Sequence, residues 1–104
     1  MEKNKCTIRY SATYINQFNN ILKYIVNNLN NKVAAENLYN EVIKEIENRS
    51  YNPTSYEKYK STRKRKNTYY RIYVKNYTIF YTVKDNMMEI RRIIYSKRNF
   101  DKLV

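Results

Sequence analysis

Residues 69–100 read YYRIYVKNYTIFYTVKDNMMEIRRIIYSKRNF, and this stretch decides the fold. It holds three short runs of alternating apolar and polar residues. They are broken at Lys75-Asn76 and again at Lys84-Asp85-Asn86. Alternation with period two, punctuated by two- or three-residue polar breaks, predicts an antiparallel meander with tight turns. Along the middle run, Tyr77, Ile79, Tyr81 and Val83 take one face, and Thr78, Phe80 and Thr82 the other. Along the last run, Met88, Ile90 and Ile94 are expected on one face together with Arg92. Two cations, Lys97 and Arg98, follow the last strand.

Upstream of the meander, residues 49–68 show no periodicity. Pro53 and the Asn, Ser and Thr around it mark a loop, which carries Lys58, Lys60, Arg63, Lys64, Arg65 and Lys66. Further back, two helical periodicities appear. Ser11 is placed to cap a helix of about five turns with Ile15, Phe18, Leu22, Ile25, Val26 and Leu29 as its apolar stripe. After the polar segment Asn27 to Lys32, a second helix runs from Val33 to Asn48 with Ala35, Leu38, Val42 and Ile46 inward. Residues 5–10 read as a short strand. The order is therefore β-α-α-β-β-β, an α+β fold. An N-terminal strand precedes an antiparallel helical hairpin packed on a small, mainly antiparallel sheet. Residues 1–104 fit a single domain by length.

The net charge is +12. Residues 1–57 hold seven Lys/Arg against six Asp/Glu, and residues 58–104 hold fourteen against three. The excess thus sits in the second half, which points to nucleic acid or an acidic protein as partner. A solvated basic surface is the ordinary alternative. With no histidine and one cysteine, Cys6, a zinc site is not expected, nor any other cofactor. The chain has no glycine, so it has no phosphate-cradling glycine loop. Cys6 has no internal disulfide partner and suits a reducing cytoplasm as a small buried hydrophobe. No apolar run resembles a signal peptide or is long enough to span a bilayer.

The order of elements, the segment Val74-Lys75-Asn76-Tyr77-Thr78-Ile79-Phe80-Tyr81 and the ending Ile94-Tyr95-Ser96-Lys97-Arg98-Asn99 resemble the RelE/ParE toxins of bacterial type II toxin–antitoxin systems. So do Tyr24-Ile25-Val26, Ala34-Ala35-Glu36-Asn37-Leu38, Ile43, Ile46 and Asn52-Pro53 in the helical part. The resemblance implies a small cytoplasmic toxin that inhibits growth, serves plasmid stabilisation and is neutralised by a cognate antitoxin protein. RelE-like members cut messenger RNA in the ribosomal A site, whereas ParE-like members block DNA gyrase. In RelE-like sites the first meander strand carries lysines. Arg71 matches the first in charge, and Tyr73 stands where the second is expected. Thr78 follows Tyr77 where an arginine is usual. Arg98, with Lys97 beside it, matches the cation after the last strand. The substrate-stacking C-terminal tyrosine has no counterpart in Lys102-Leu103-Val104. These departures favour the ParE-like branch.

A metal-independent endoribonuclease needs a base for the ribose 2′-hydroxyl, cations for the developing phosphorane charge and an acid for the leaving oxygen. Arg71 and Arg98 are the candidate charge stabilisers, with Tyr95 or Tyr73 as acid or stacking platform. A phenol with an ordinary pKa near 10 is a poor base at neutral pH. The ordinary alternatives are a solvated strand residue for Arg71 and packing for Tyr95. Lys58, Lys60, Arg63, Lys64, Arg65, Lys66 and Lys97 are the candidate contacts to nucleic acid or another target. Two further readings stay open: a non-toxic basic nucleic-acid-binding module, and a toxin that binds its antitoxin but has lost activity.

Overall fold

The computed structural model describes residues 5–56, 58 and 68–96. Its elements are β1 (Thr7–Tyr10), α1 (Ala12–Asn27), α2 (Lys32–Arg49), β2 (Tyr70–Val74), β3 (Tyr77–Lys84) and β4 (Met87–Tyr95). They form the expected β-α-α-β-β-β order. The four strands lie in the order β1-β4-β3-β2, with β2-β3-β4 antiparallel and β1 parallel to β4. The parallel edge follows from the helical hairpin, which returns the chain to the sheet after β1.

Turn chemistry explains the meander. In a chain without glycine, the positive φ values of tight turns fall to other residues. Asp85 (φ 51°) and Asn86 (φ 61°) close the β3–β4 hairpin, as a type I′ turn requires. Asx side chains tolerate that region best. Lys75 (φ 53°) takes it in the β2–β3 turn with no such advantage.

Both helices start on side-chain caps. Ser11 Oγ accepts from the Tyr14 amide (3.1 Å), and Asn31 Oδ1 accepts from the Ala34 amide (3.0 Å). The α2 stripe is the expected one, with Ala35, Leu38, Val42 and Ile46 all buried. The α1 stripe is rotated from the expected one. Tyr14, Phe18 and Ile25 are buried and Ile21 and Leu22 partly so, whereas Ile15, Val26 and Leu29 are exposed. The reason is that Tyr14 buries its ring and so sets the stripe at 14, 18, 21 and 25. Its ring lies in a stack running Tyr10–Tyr14–Phe18–Tyr39 at centroid spacings of 5.6, 5.7 and 5.9 Å. This stack joins β1, α1 and α2.

The core lies between the helices and one sheet face, where Val42, Ile46, Ile79, Tyr81, Met88 and Ile90 are fully buried. Cys6 is buried just ahead of β1, with its Sγ 3.3 Å from Asn86 Oδ1.

A latch closes the C-terminal end of α2. Arg49 Nη1 donates to the Arg71 carbonyl (2.7 Å) and to the Tyr81 hydroxyl (3.0 Å), and its guanidinium lies 3.4 Å from the Tyr56 ring centroid. The Tyr81 hydroxyl in turn donates to the Pro53 carbonyl (2.6 Å). One guanidinium, donating twice from Nη1, thus ties the helix end and the loop after it to β2 and β3.

Candidate functional site

Strict alternation along β4 would place Arg92 with Met88 and Ile90, but the structure places it on the opposite face. Register passes from Tyr81↔Ile90 to Phe80↔Arg92, so Arg91 is the extra residue of a β-bulge. Met88, Ile90 and Ile93 then face the helices, while Arg92 and Ile94 face away. Arg91 also points to the helix-free side. Its guanidinium is 5.8 Å from the Tyr69 ring and its Nη1 is 3.0 Å from Glu89 Oε1. Two adjacent arginines therefore share one face, which an unbroken strand forbids.

The bulge is held by the start of α1. Beyond Tyr10, β1 no longer covers β4, and the exposed backbone finds other partners. Ser11 donates from its amide to the Ile90 carbonyl (2.9 Å) and from its hydroxyl to the Arg91 carbonyl (2.9 Å). Gln17 Oε1 accepts from the Ile93 amide (2.9 Å). Arg92 Nη1 donates to the Arg91 carbonyl as well (3.1 Å).

The register sets out the helix-free face in rows. Arg71, Phe80 and Arg92 form one, and Tyr73, Thr78 and Ile94 the next. Phe80 is fully buried, with Tyr69 edge-on at 6.3 Å. Arg71 and Arg92, both half-buried, flank it and can cover it with their aliphatic stems. At the β3–β4 hairpin end, Arg9, Lys58, Lys84, Arg91, Thr82 and Glu89 line a cleft of about 450 Å³. Among the described residues no helix covers this face.

The expected site residues are not all drawn together. Arg71 faces away from the helices, with its guanidinium 5.7 Å from the exposed Tyr73 ring. Tyr95 pairs with Tyr77, on the opposite face, and meets it edge-on at 5.9 Å. Lys58 is exposed and makes an isolated bridge to Tyr70 at the β2 edge. Lys60, Arg63, Lys64, Arg65, Lys66, Lys97 and Arg98 lie outside the described residues. Thr78 is fully buried with its Oγ1 2.9 Å from Ser96 Oγ. Sequence reasoning missed Arg9, Lys84, Arg91 and Arg92 as a group. The signal was Arg91-Arg92 between Ile90 and Ile93, since regular alternation would have pressed an arginine against the core.

On the other side of the molecule, a largely apolar groove of about 460 Å³ runs between α1 and α2, lined by Leu22, Val26, Ala35 and Tyr39 together with Lys32, Glu36 and Asn40. Tyr24, Val26, Val33 and Tyr39 on these helices, and Leu29 in the turn between them, are exposed.

Residues 8–100 match the family described as the ParE toxin of the type II toxin–antitoxin system, parDE. The chain belongs to this family and is a toxin of the type II toxin–antitoxin class. Among solved structures, a RelB-RelE antitoxin–toxin complex from Methanococcus jannaschii is similar at 20% identity. The alignment covers 92% of this chain and 99% of that chain, with a TM-score of 0.49. No curated protein matches. Among the described residues, no helix is long and apolar enough to cross a membrane.

Proposed function

We propose that this toxin acts in the ParE manner, inhibiting DNA gyrase in the cytoplasm, and that a co-encoded antitoxin neutralises it. The observation that carries this reading is Thr78, buried against Ser96 at the sheet position where the resemblance to RNA-cutting members calls for an exposed cation. The separation of Arg71 from Tyr95 on opposite faces points the same way, because an acid and a charge stabiliser must meet at one phosphate. The antitoxin is expected to lay an amphipathic segment into the α1–α2 groove, whose exposed apolar rim offers the anchors such a segment uses.

The alternative, a ribosome-dependent mRNA interferase, draws on the Arg71–Phe80–Arg92 row. The purified chain is therefore assayed in parallel for gyrase supercoiling and for mRNA integrity in a translating extract. Loss of supercoiling with intact mRNA is the expected result. Cleaved mRNA with normal supercoiling would move the protein to the RelE branch. Within the toxin reading, Arg98 is proposed to act from the end of the last strand and the cations of residues 58–66 to steer association. Arg98→Ala is then expected to relieve growth arrest more than Lys64→Ala, because a guanidinium can bind an anion bidentately whereas Lys64 has like-charged neighbours in the sequence, Arg63, Arg65 and Lys66, to replace it.

A further inference from the structure

The cleft at the β3–β4 hairpin end lies beyond the Arg71–Phe80–Arg92 row, away from Thr78 and the last residues of β4. Its charged lining is Arg9, Lys58, Lys84 and Arg91 against Glu89, a balance of +3. Glu89 sits between two arginines, with Oε1 3.0 Å from Arg91 Nη1 and Oε2 3.7 Å from Arg9 Nε. The parallel β1–β4 pairing sets Arg9 opposite Glu89, and the bulge turns Arg91 to the same side.

We propose that this cleft is a phosphate-binding site, in which Glu89 occupies the position that an incoming anion competes for. One carboxylate is already present and leaves most of the cationic charge uncompensated. A second carboxylate would still leave a balance of +2. A diphosphate group carries enough charge to balance the cleft. Its tetrahedral oxygens also suit two guanidinium forks, two ammonium groups and the Thr82 hydroxyl. The cleft has room for a diphosphate and part of a nucleoside, so the phosphate can come from a free nucleotide or from a nucleic-acid strand. The inference is independent of whether the toxin acts on gyrase.

The test is titration of the full chain with sodium pyrophosphate, with ADP and with a short single-stranded oligonucleotide, followed by amide NMR shifts and calorimetry. Pyrophosphate is expected to move the amides of Arg9, Thr82, Lys84 and Arg91. Lys84→Gln and Arg91→Gln are each expected to weaken it by roughly three- to tenfold. Glu89→Gln should tighten it, and Lys44→Gln, exposed on α2, should leave it unchanged. ADP binding no tighter than pyrophosphate, with no gain for the oligonucleotide, assigns the site to free phosphate. A large gain for the oligonucleotide that is lost in Lys84→Gln assigns it to a strand. Equal weakening by Lys44→Gln would reduce the effect to bulk charge and overturn the proposal. So would weaker binding in Glu89→Gln, or no binding of pyrophosphate at millimolar concentration.

Discussion

The two faces of the sheet follow different physical rules. The helix-covered face is closed by aliphatic and aromatic side chains, and the outer side of its helices still offers an apolar groove. The opposite face buries little more than Phe80, Thr78, Ile94 and Tyr69 and gathers Arg9, Arg71, Arg91 and Arg92. Apolar anchors supply most of the free energy of a protein interface, whereas exposed cations mainly set association rate and salt dependence. The two regions are thus suited to different partners. The helical side is suited to holding a partner tightly, and the arginine side to meeting an anionic or acidic surface. The bulge and its supports separate these properties, so substitutions there tell the two faces apart.

The largest effect is expected at the seam. Arg49→Ala removes the fork that joins α2 to the Arg71 carbonyl and the Tyr81 hydroxyl, together with its contact over Tyr56. A loss of about 2–4 kcal/mol in urea unfolding is predicted, from charged hydrogen bonds and the cation–π contact together. Arg49→Lys should recover only part of it, because an ammonium lacks the planar fork. Full recovery would show that charge alone holds the latch.

Gln17→Ala comes next. It leaves the Ile93 amide without its partner, at a predicted cost of about 1–2 kcal/mol. Growth arrest should also weaken at matched soluble levels, since the bulge is what turns Arg91 and Arg92 to one side. Lost stability with undiminished arrest would separate the arginine face from toxicity.

The smallest effect sharpens the helical side. Among the described residues the buried Tyr14 hydroxyl has no hydrogen-bond partner. Tyr14→Phe is therefore predicted to be neutral or to stabilise by up to about 1 kcal/mol. The same residue sets an alkaline limit. Burial raises the pKa of Tyr14, Tyr10 and Tyr77 above the ordinary 10.0, and that of Tyr81 too, although Arg49 opposes it. The native state then keeps protons that the unfolded chain sheds. Stability from this source is complete below about pH 10 and falls as pH rises beyond it. Melting temperature against pH should show that fall, and it should be shallower in Tyr14→Phe. An unchanged alkaline limb would remove Tyr14 from the explanation.

Where one physical rule dominated, the sequence was readable. The α2 stripe and both faces of β3 follow from periodicity, and the hairpin turns from polar breaks, although Lys75 rather than an Asx residue took the positive φ of the first turn. Where two rules competed, it was not. Tyr14 is polar by type yet buries its ring, so it rotated α1 from the expected stripe. The Arg91-Arg92 pair forced a bulge that alternation alone does not foresee. Arg49 meets Arg71 and Tyr81 only through tertiary packing, 22 and 32 residues away, and no local pattern marks it. The parallel pairing of β1 likewise depends on where the helical hairpin returns the chain.

The claim that antitoxin capture and target inhibition use separate surfaces is tested most directly by Val26→Glu, an exposed position in the α1–α2 groove. The measurement is growth on induction, at matched soluble levels, with and without the neighbouring antitoxin. The variant should arrest growth as the parent chain does but escape rescue, because a carboxylate in an apolar anchor site costs about 2 kcal/mol or more of binding. Rescue equal to that of the parent chain, or loss of arrest in the variant alone, would contradict the division between the two faces.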